Sequence, residues 1–333
     1  MKRVVVARQD NLGDVLLAGP AIRAIAAQAE HVTLLAGPHG AAAGELLPGV
    51  DEVQVFRAPW IDPDPPPLTR PSVEALAEQL TGFDAAFVFT SFHQSPLPLA
   101  LVLRMAGVPW IGAICDDYPG SLLDLRHRIP GDPPEALRML SLAQAAGCSL
   151  PFGDDGRLAV RRPLPDVSGL TGIGDYVVVH PTASVPARSP SPVHSGRIVD
   201  ALTEAGHRVV VTGAKPEGMT ADVDLSGRTT LPELAAVLAG AEVVVAPNTG
   251  PAHLAAAVGT PVVSLFAPVV PAARWAPFGV PAALLGDQHA PCRGSRARTC
   301  PVPGHPCLDG IDPAEVVAAV AELAKRPSRQ ATA

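Results

Sequence analysis

The sequence predicts an α/β protein built from two doubly wound parallel sheets. Short β-branched runs alternate with helix-favouring segments rich in Ala and Leu, and this alternation occurs twice along the chain. Hydrophobic residues make up 47% of the 333 residues and charged residues only 17%, so strands buried on both faces are expected. At this length, two domains are a better expectation than a single core.

The first alternation fills the N-terminal half of the chain. A dense Pro and Asp run at 62–67 marks residues 57–71 as a loop, and the Pro- and Gly-rich segment 161–175 marks a domain boundary. We therefore expect an N-terminal domain over 1–165 and a second domain over 175–310. The predicted strands of the first domain are 4–7, 31–35, 52–56, 85–89 and 110–114, and its predicted helices are 15–28, 72–81, 98–106 and 135–146.

The second alternation repeats the pattern and ends in a helix over 312–324, with Asp312 as its cap and Pro313 as its first residue. Ligands in such sheets bind beyond the carboxyl ends of the strands. We therefore expect two Rossmann-like domains facing a cleft, with the loops 8–14, 90–95, 180–190, 213–217 and 247–253 around it. The predicted strands of this half are 176–180, 207–212, 242–246 and 261–266, and its helices are 193–205, 231–239 and 254–258.

A polar turn at 247–253 joins a buried strand to a helix. A helix N-terminus presents unpaired backbone N–H groups and the positive end of the helix dipole. Gly250 lets a ligand approach the backbone, and Thr249 and His253 add hydrogen-bond donors. The turn is therefore typical of a phosphate or diphosphate site. An ordinary capped helix start explains the same residues equally well.

Composition excludes several classes of protein. The net charge of -7 argues against a nucleic-acid-binding protein. The strand at 4–7 is not followed by G-x-G-x-x-G, which argues against a dehydrogenase. MKRVVVARQ does not resemble a signal peptide, and no apolar run in the sequence has the length of a membrane span. A cytoplasmic protein is expected, and contact with a membrane surface stays open.

Four segments in order, NLGDVLLAGPAIRAI, HPTASVPARSPSP, GRTTLPELAAVLAGAEVVVAPNTG and NTGPAHLAAAVGTPVVSLF, resemble glycosyltransferase family 9, the ADP-heptose-dependent heptosyltransferases. The resemblance covers residues 3–325. It implies the GT-B fold, with the donor nucleotide sugar on the C-terminal domain, the acceptor on the N-terminal domain and a last helix, 311–326, packed back towards the N-terminal domain. It also implies inverting transfer of heptose from ADP-heptose to a hydroxyl, with no metal or other cofactor.

On the N-terminal side, the resemblance assigns Asp14 as the general base that deprotonates the acceptor hydroxyl. An inverting displacement needs such a carboxylate within about 3 Å of that hydroxyl. The alternative is that Asp14 caps a helix beginning at Val15. Asn11, Gly13 and His93 are the other acceptor-side candidates.

On the donor side, the family's diphosphate-binding turn corresponds to Thr249, Gly250 and His253. Asn248 stands where the family often has Asp. The asparagine keeps a hydrogen-bonding group but lacks the negative charge. Arg188 aligns with a basic residue that precedes a Trp-Pro pair in the family, whereas Ser and Pro follow it here. The alternatives are a buried helix histidine at 253 and a solvated loop charge at 188. The remaining donor-side candidates are Thr182 for the diphosphate and Gly213 and Glu217 for the nucleoside.

Five cysteines in a chain of this size do not indicate a disulfide framework. Cys292, Cys300 and Cys307, with His289 and His305 nearby, could be zinc ligands, but their spacings lack the C-x2-C pairs of structural zinc sites. We expect free thiols in a packed loop and no metal site.

The acceptor is inferred from charge. The first 60 residues hold five basic side chains, which are few for an enzyme that meets the anionic lipopolysaccharide core. A small, uncharged natural-product scaffold is therefore an alternative acceptor to the lipopolysaccharide core. The alternative functions are a GT-B nucleotide-sugar epimerase and a non-catalytic nucleotide-sugar-binding protein.

Overall fold

The computed structural model describes residues 1–325. The chain divides into two compact units, Met1–Val160 and a second unit that begins at Arg161. Each unit holds a six-stranded sheet in which every strand pairing is parallel. This confirms the predicted fold class of two doubly wound parallel sheets. No helix within residues 1–325 combines the length and the apolar character that crossing a lipid bilayer requires.

The first unit contains strands β1 (Arg3–Arg8), β2 (His31–Ala36), β3 (Glu52–Val55), β4 (Ala85–Val88), β5 (Trp110–Ile114) and β6 (Leu125–His127), and helices α1 (Leu12–Leu17), α2 (Gly19–Ala26), α3 (Ala41–Leu46), α4 (Arg70–Gln79), α5 (Leu97–Met105) and α6 (Glu135–Ala145). The sheet order is β3-β2-β1-β4-β5-β6. Strands β1 to β3 extend the sheet in one direction and β4 to β6 extend it in the other. The loops that leave β1 and β4 therefore diverge, and ligands usually bind at this point of such a sheet.

Three features of the first unit differ from the sequence prediction. The helix predicted to start at Val15 begins at Leu12 and is interrupted at Ala18. Helix α2 follows, and Pro20 suits its first turn because the backbone N–H groups there have no partner within the helix. Strand β6 was not predicted because it is only three residues long and half-buried. Helix α3 was not predicted either. A Cβ added to its Gly44 would lie 2.6 Å from the Leu34 side chain, so this close packing requires a glycine.

The second unit contains strands β7 (Val177–Val179), β8 (Val209–Val211), β9 (Val223–Asp224), β10 (Val243–Pro247), β11 (Val262–Leu265) and β12 (Ala282–Leu285), and helices α7 (Ser168–Thr171), α8 (Pro192–Glu204), α9 (Leu231–Ala239), α10 (Gly250–Val258), α11 (Ala272–Trp275), α12 (Pro306–Asp309) and α13 (Pro313–Ala324). The sheet order β12-β11-β10-β7-β8-β9 repeats the topology of the first unit. Here the winding reverses between β7 and β10.

Helix α10 begins at Gly250, four residues before the predicted start. The predicted polar turn at 247–253 included Pro251, but a proline in the first turn of a helix loses no intrahelical hydrogen bond. His253 therefore lies inside α10. Strands β9 and β12 were not predicted from the sequence; β9 has only two residues and β12 is largely unburied.

Helix α13 confirms its predicted start, because Asp312 accepts a hydrogen bond at 2.9 Å from the backbone N–H of Ala314. It packs on α8 and on strands β10 to β12 of the second unit. The predicted packing of 311–326 towards the N-terminal domain stays a prediction, and residue 326 lies outside the described residues.

Candidate functional site

The candidate site of the first unit lies at the carboxyl ends of β1 and β4. Arg8 is the last residue of β1, and its side chain is fully buried. Its Nη2 donates to Asp14 Oδ1 at 2.9 Å and to Ser91 Oγ at 3.1 Å, and its Nε lies 3.2 Å from Asp10 Oδ2. Burial alone would lower the pKa of Arg8, but Asp10, Asp14 and Glu135 together hold that pKa above its ordinary value. The guanidinium is therefore a permanent cation shared by the loop residues that follow β1.

Asp10 connects this loop to the end of β4. Its Oδ1 accepts a hydrogen bond of 2.6 Å from Gln94 Nε2, and Gln94 Oε1 accepts one of 2.9 Å from the backbone N–H of Ser91. Burial raises the pKa of Asp10 to about 6, although Arg8 acts in the opposite direction. Asp10 is therefore a carboxyl group that changes its charge near neutral pH.

A second buried ion pair lies at the start of α6. Glu135 is fully buried, and its Oε2 lies 3.5 Å from Arg138 Nη1. Arg138 Nη1 also donates to the carbonyl oxygen of Thr90 at 2.6 Å, which ties α6 to the end of β4. Arg8, Arg138, Asp10, Asp14 and Glu135 form what we call the acid–arginine cluster, which contains two cations and up to three anions.

Asp14 lies in the first turn of α1 and is 18% exposed. The alternative that it caps a helix at Val15 is wrong, because α1 begins at Leu12 and Asn11 occupies the N-cap position. Asn11 is exposed and makes no side-chain capping bond, and Gly13 is buried inside α1. His93, in the loop after β4, is exposed and packs edge-on against Phe92 at 5.2 Å between ring centroids.

Gly37, directly after β2, packs against the loop between β1 and α1 that carries Asp10. A Cβ added to Gly37 would lie 2.3 Å from the carbonyl oxygen of Gln9. We expect Gly37→Ala to lower the free energy of unfolding by about 1–3 kcal/mol in urea denaturation, because the backbone of residue 9 would have to move.

The matched control for Gly37→Ala is Gly196→Ala in α8, where an added Cβ meets no atom within 4 Å. That variant should be stabilised by about 0.5–1 kcal/mol, since alanine favours a helix more than glycine does. Equal effects of the two substitutions would show that the close approach at Gln9 is not tight.

The candidate site of the second unit lies at the carboxyl ends of β7, β8 and β10. Thr249 is the N-cap residue of α10, but its side chain makes no capping hydrogen bond, unlike Thr230 at the start of α9. Asn248 is 4% exposed, and its Nδ2 has no hydrogen-bond partner within the described part of the chain. His253 is buried at 3% exposure in the first turns of α10. The turn is therefore not an ordinary side-chain-capped helix start.

Two predicted donor-side residues meet directly. Thr182 Oγ1 donates to Glu217 Oε1 at 2.7 Å and so joins the loop after β7 to the loop after β8. Gly213 permits this arrangement, because a Cβ there would lie 2.7 Å from Glu217 Oε1. Beneath them, His180 Nδ1 lies 3.0 Å from Thr212 Oγ1, and burial lowers the pKa of His180 to about 4. His180 is therefore neutral at pH 7.

Arg188 ends a 3-10 turn at Pro186–Arg188 and is half-buried. A solvated loop charge would be exposed, so this environment favours a structural or ligand-binding role over the alternative drawn from the sequence. The turn is held by a backbone hydrogen bond from the N–H of Ala187 to the carbonyl oxygen of Arg298 at 2.9 Å. The N–H of Ala183 also donates to the side-chain Oγ of Ser189 at 2.8 Å.

All five cysteines are free thiols. Cys292 and Cys307 belong to the apolar core of the second unit, and Cys300 packs against that core. Burial raises the pKa of Cys307 to about 11, and the neighbouring Cys292 and Cys300 act in the same direction. Within residues 1–325, no group of three or more His, Cys, Asp or Glu side chains is arranged to hold a metal ion.

Comparison with known proteins gives the family. Residues 100–305, more than half of the chain, match Glycosyltransferase family 9 (heptosyltransferase). The chain belongs to glycosyltransferase family 9. Within this family, Lipopolysaccharide heptosyltransferase 3 of Escherichia coli strain K12 is 32% identical over 132 residues, which are 35% of this chain and 37% of that protein. The chain therefore matches little more than a third of the length of this relative.

Solved structures show the same fold over almost the whole family 9 chain. E. coli ADP-heptose lps heptosyltransferase II has a TM-score of 0.71 at 19% identity and covers 97% of this chain and 98% of its own. E. coli heptosyltransferase WaaC, solved with ADP, has a TM-score of 0.69 at 18% identity and covers 96% and 99%. At these identities the similarity shows the fold alone, which agrees with the GT-B architecture predicted from the resemblance.

Several residues of this family 9 chain that shape the site were not selected from the sequence. Arg8 ends β1 and Asp10 follows in the polar segment RQDNLGD, where a position at the end of a buried strand was a usable signal. Ser91 and Gln94 lie in the corresponding loop after β4. Glu135 and Arg138 carry no comparable signal, because a charged pair on a helix is normally solvent-exposed.

Proposed function

We propose that this family 9 chain is an inverting glycosyltransferase that moves heptose from ADP-heptose to an acceptor hydroxyl and needs no metal ion for catalysis. The observation that carries the proposal is the turn at the start of α10, where Asn248 has a buried, unpartnered Nδ2 beside an uncapped helix N-terminus. An anionic diphosphate satisfies both features at once. Family membership and the names of the structural relatives, which include ADP-heptose and ADP, support this donor.

Asp14 is the proposed general base. The acceptor hydroxyl attacks the anomeric carbon of the donor and loses its proton in the same displacement, so a positioned carboxylate accelerates the step. The side chain of Asp14 is accessible, and the Arg8 guanidinium holds its Oδ1. A carboxylate with a fixed orientation can accept the proton without first reorganising. Asn11, Gly13 and His93 are proposed to contact the acceptor.

On the donor side, negative charge builds up on the departing ADP. Thr249, Gly250 and His253 at the start of α10 are proposed to stabilise that charge, together with Arg188 and with Thr182 once its hydroxyl turns from Glu217 to the diphosphate. Asn248 contributes an amide donor without adding a negative charge to the site. Glu217, already within 2.7 Å of Thr182, is proposed to accept hydrogen bonds from the ribose hydroxyls next to Gly213.

The acceptor is proposed to be either the lipopolysaccharide core or a small natural-product scaffold. Among the basic residues of the first 60 positions, Arg8 is fully buried and Arg23 Nε pairs with Asp154 Oδ2 at 2.6 Å. Arg57 Nε pairs with Asp62 Oδ2 at 2.9 Å. Because these charges are already neutralised within the first unit, they favour a small, uncharged acceptor over an anionic one.

The test is incubation of the purified protein with ADP-heptose and either lipid A-linked core sugar or a panel of small hydroxylated scaffolds. We expect ADP release and a glycosylated product of inverted anomeric configuration, detected by mass spectrometry and NMR. Addition of EDTA should leave the rate unchanged. UDP-linked and GDP-linked sugars serve as matched donors that should give no product.

Four outcomes would contradict parts of the proposal. Turnover on lipid A-linked sugar alone would exclude the small acceptor. Release of a free epimer without any acceptor would show a nucleotide-sugar epimerase. Binding of ADP-heptose with no turnover on any acceptor would indicate a non-catalytic binding protein, and loss of activity in EDTA that added metal restores would contradict the metal-independent mechanism.

A further inference from the structure

The carboxylate of Asp10 is deeply buried, and the chemistry proposed above gives it no role. Its side chain is only 10% exposed, and it shares the Arg8 guanidinium with Asp14. Burying a carboxylate costs free energy unless a charge partner and hydrogen bonds compensate for lost water. When two carboxylates share one cation, the cost of burying each is compensated less completely than when one carboxylate has the cation to itself. Stability alone therefore does not explain the presence of Asp10.

Asp10 is held rigidly from the side of β4. Its Oδ1 accepts a 2.6 Å hydrogen bond from Gln94 Nε2, and the backbone N–H of Ser91 fixes the other end of that amide at 2.9 Å. The second oxygen, Oδ2, then lies 3.2 Å from Arg8 Nε. The position of Asp10 is thus set by Arg8 at the end of β1 and by Gln94 in the loop after β4.

Arg8 transmits that position to Asp14. The guanidinium is planar and rigid, so the location of its Nε edge determines the location of its Nη2 group. Nη2 donates to Asp14 Oδ1 at 2.9 Å and to Ser91 Oγ at 3.1 Å. A shift of Arg8 would therefore change the orientation of the Asp14 carboxylate.

We propose that Asp10 is a positioning residue that orients the general base Asp14 through the Arg8 guanidinium. The inference rests on the role of Asp14 in the proposed function. Asp10 contacts neither the donor nor the acceptor in this scheme. Its ionised carboxylate holds Arg8 in the geometry that presents Asp14 for proton transfer.

The charge state of Asp10 makes the proposal testable by pH. The charged groups that face Asp10 are Arg8 from β1, Asp14 from α1 and Glu135 from α6, and Arg138 lies beside Glu135. Gln94 adds a hydrogen bond from an uncharged side chain in the loop after β4. Since burial raises the pKa of Asp10 to about 6, its ion pair with Arg8 forms above that pH and is lost below it. Transfer should therefore decline as the pH falls through about 6.

The experiment compares Asp10→Asn with the wild-type protein in the ADP-heptose transfer assay from pH 5 to 8. Asparagine has nearly the same shape but cannot ionise, so we expect kcat to fall roughly 100-fold at pH 8, the order of loss that about 1 Å of misplacement produces. The KM for ADP-heptose should stay within about twofold of wild type. The decline near pH 6 should be absent from the variant, and Asp10→Glu, which restores the charge, should recover part of both the rate and the pH dependence.

The matched control is Asp154→Asn, which removes the charge from the partly buried Arg23–Asp154 pair of the same unit and should leave kcat and its pH dependence unchanged. An Asp10→Asn protein with the wild-type rate and pH profile would overturn the positioning role. If Asp10→Asn does not fold, Gln94→Met, which removes the 2.6 Å hydrogen bond to Asp10, replaces it in the same comparison.

If the wild-type protein shows no transfer activity, the proposed function is contradicted, and a second measurement tests the positioning role. In a double-mutant cycle of urea unfolding, the effects of Asp10→Asn and Asp14→Asn should be non-additive, because both side chains act on one guanidinium. Additive effects would show that Arg8 does not couple the two carboxylates and would overturn the inference.

Discussion

Replacing Asp14 with asparagine should reduce transfer by about 10²–10⁴-fold, the range that a general base contributes. Asparagine keeps the size of the side chain and can still contact Arg8, which donates to Asp14 Oδ1 at 2.9 Å, but it cannot accept the acceptor's proton. Binding of ADP-heptose should be unchanged, because the donor-side residues belong to the second unit. The measurement is kcat by ADP release, paired with donor affinity by calorimetry.

The control for Asp14→Asn is Asp155→Asn, which removes an exposed carboxylate of the same unit and should keep full activity. Retention of the wild-type rate by Asp14→Asn would eliminate Asp14 as the base. Loss of donor binding together with activity would instead indicate that Asp14 acts on the donor.

Replacing Arg8 with leucine should lower the free energy of unfolding by about 3–5 kcal/mol, the usual effect of leaving buried charges without their partner. Asp10 and Asp14 contact the fully buried guanidinium directly, and Glu135 interacts with it through its charge. Leucine fills part of the space but supplies no positive charge and no hydrogen-bond donor. Urea unfolding at several pH values measures the effect.

The loss caused by Arg8→Leu should be smaller at pH 5 than at pH 8. Burial already raises the pKa of Asp10 to about 6 with Arg8 present, and Arg8 opposes that increase. Without Arg8 the pKa rises further, so at pH 5 the carboxyl is neutral and no longer needs a cation. A pH-independent loss would show that packing, and not charge, accounts for the effect.

The control for Arg8→Leu is Arg157→Leu. Arg157 Nε pairs with Asp155 Oδ2 at 3.1 Å, but both side chains are more than half exposed. Surface ion pairs contribute about 0–1 kcal/mol, so this variant should stay close to wild type. A similar loss in both variants would argue that burial of the acid–arginine cluster has no special energetic consequence.

The two sheets could be predicted from the sequence because their strands are nearly continuous β-branched runs. Val243 to Val245 and Val177 to Val179 are completely or almost completely buried, and parallel strands covered on both faces require such runs. Strands β6, β9 and β12 lie at the sheet edges, where one neighbour is missing and burial is incomplete. Strands β6 and β9 are short and contain charged residues, and β12 is apolar but has no β-branched residue, so none of the three carries the β-branched run on which the prediction depends.

Helix starts were less predictable, for a local reason. Proline interrupts a helix in its interior but suits its first turn, and the sequence alone does not show which of these positions Pro251 occupies. The structure includes it in α10, and this puts Gly250 and His253 in the first turns of the helix.

The sequence by itself determined the α/β class, the two sheets, the family resemblance and the polar loops after β1 and β10 that hold Asp14 and Thr249. Those features follow from local patterns of apolar, small and turn-forming residues along the chain. Only the tertiary structure decided that Arg8 is completely buried and that it binds both Asp10 and Asp14. The reason is physical: an arginine is charged wherever it lies, and the burial of Arg8 depends on groups from distant segments of the chain. Ser91 accepts a hydrogen bond from Arg8, the charge of Glu135 stabilises it, and Gln94 holds its partner Asp10.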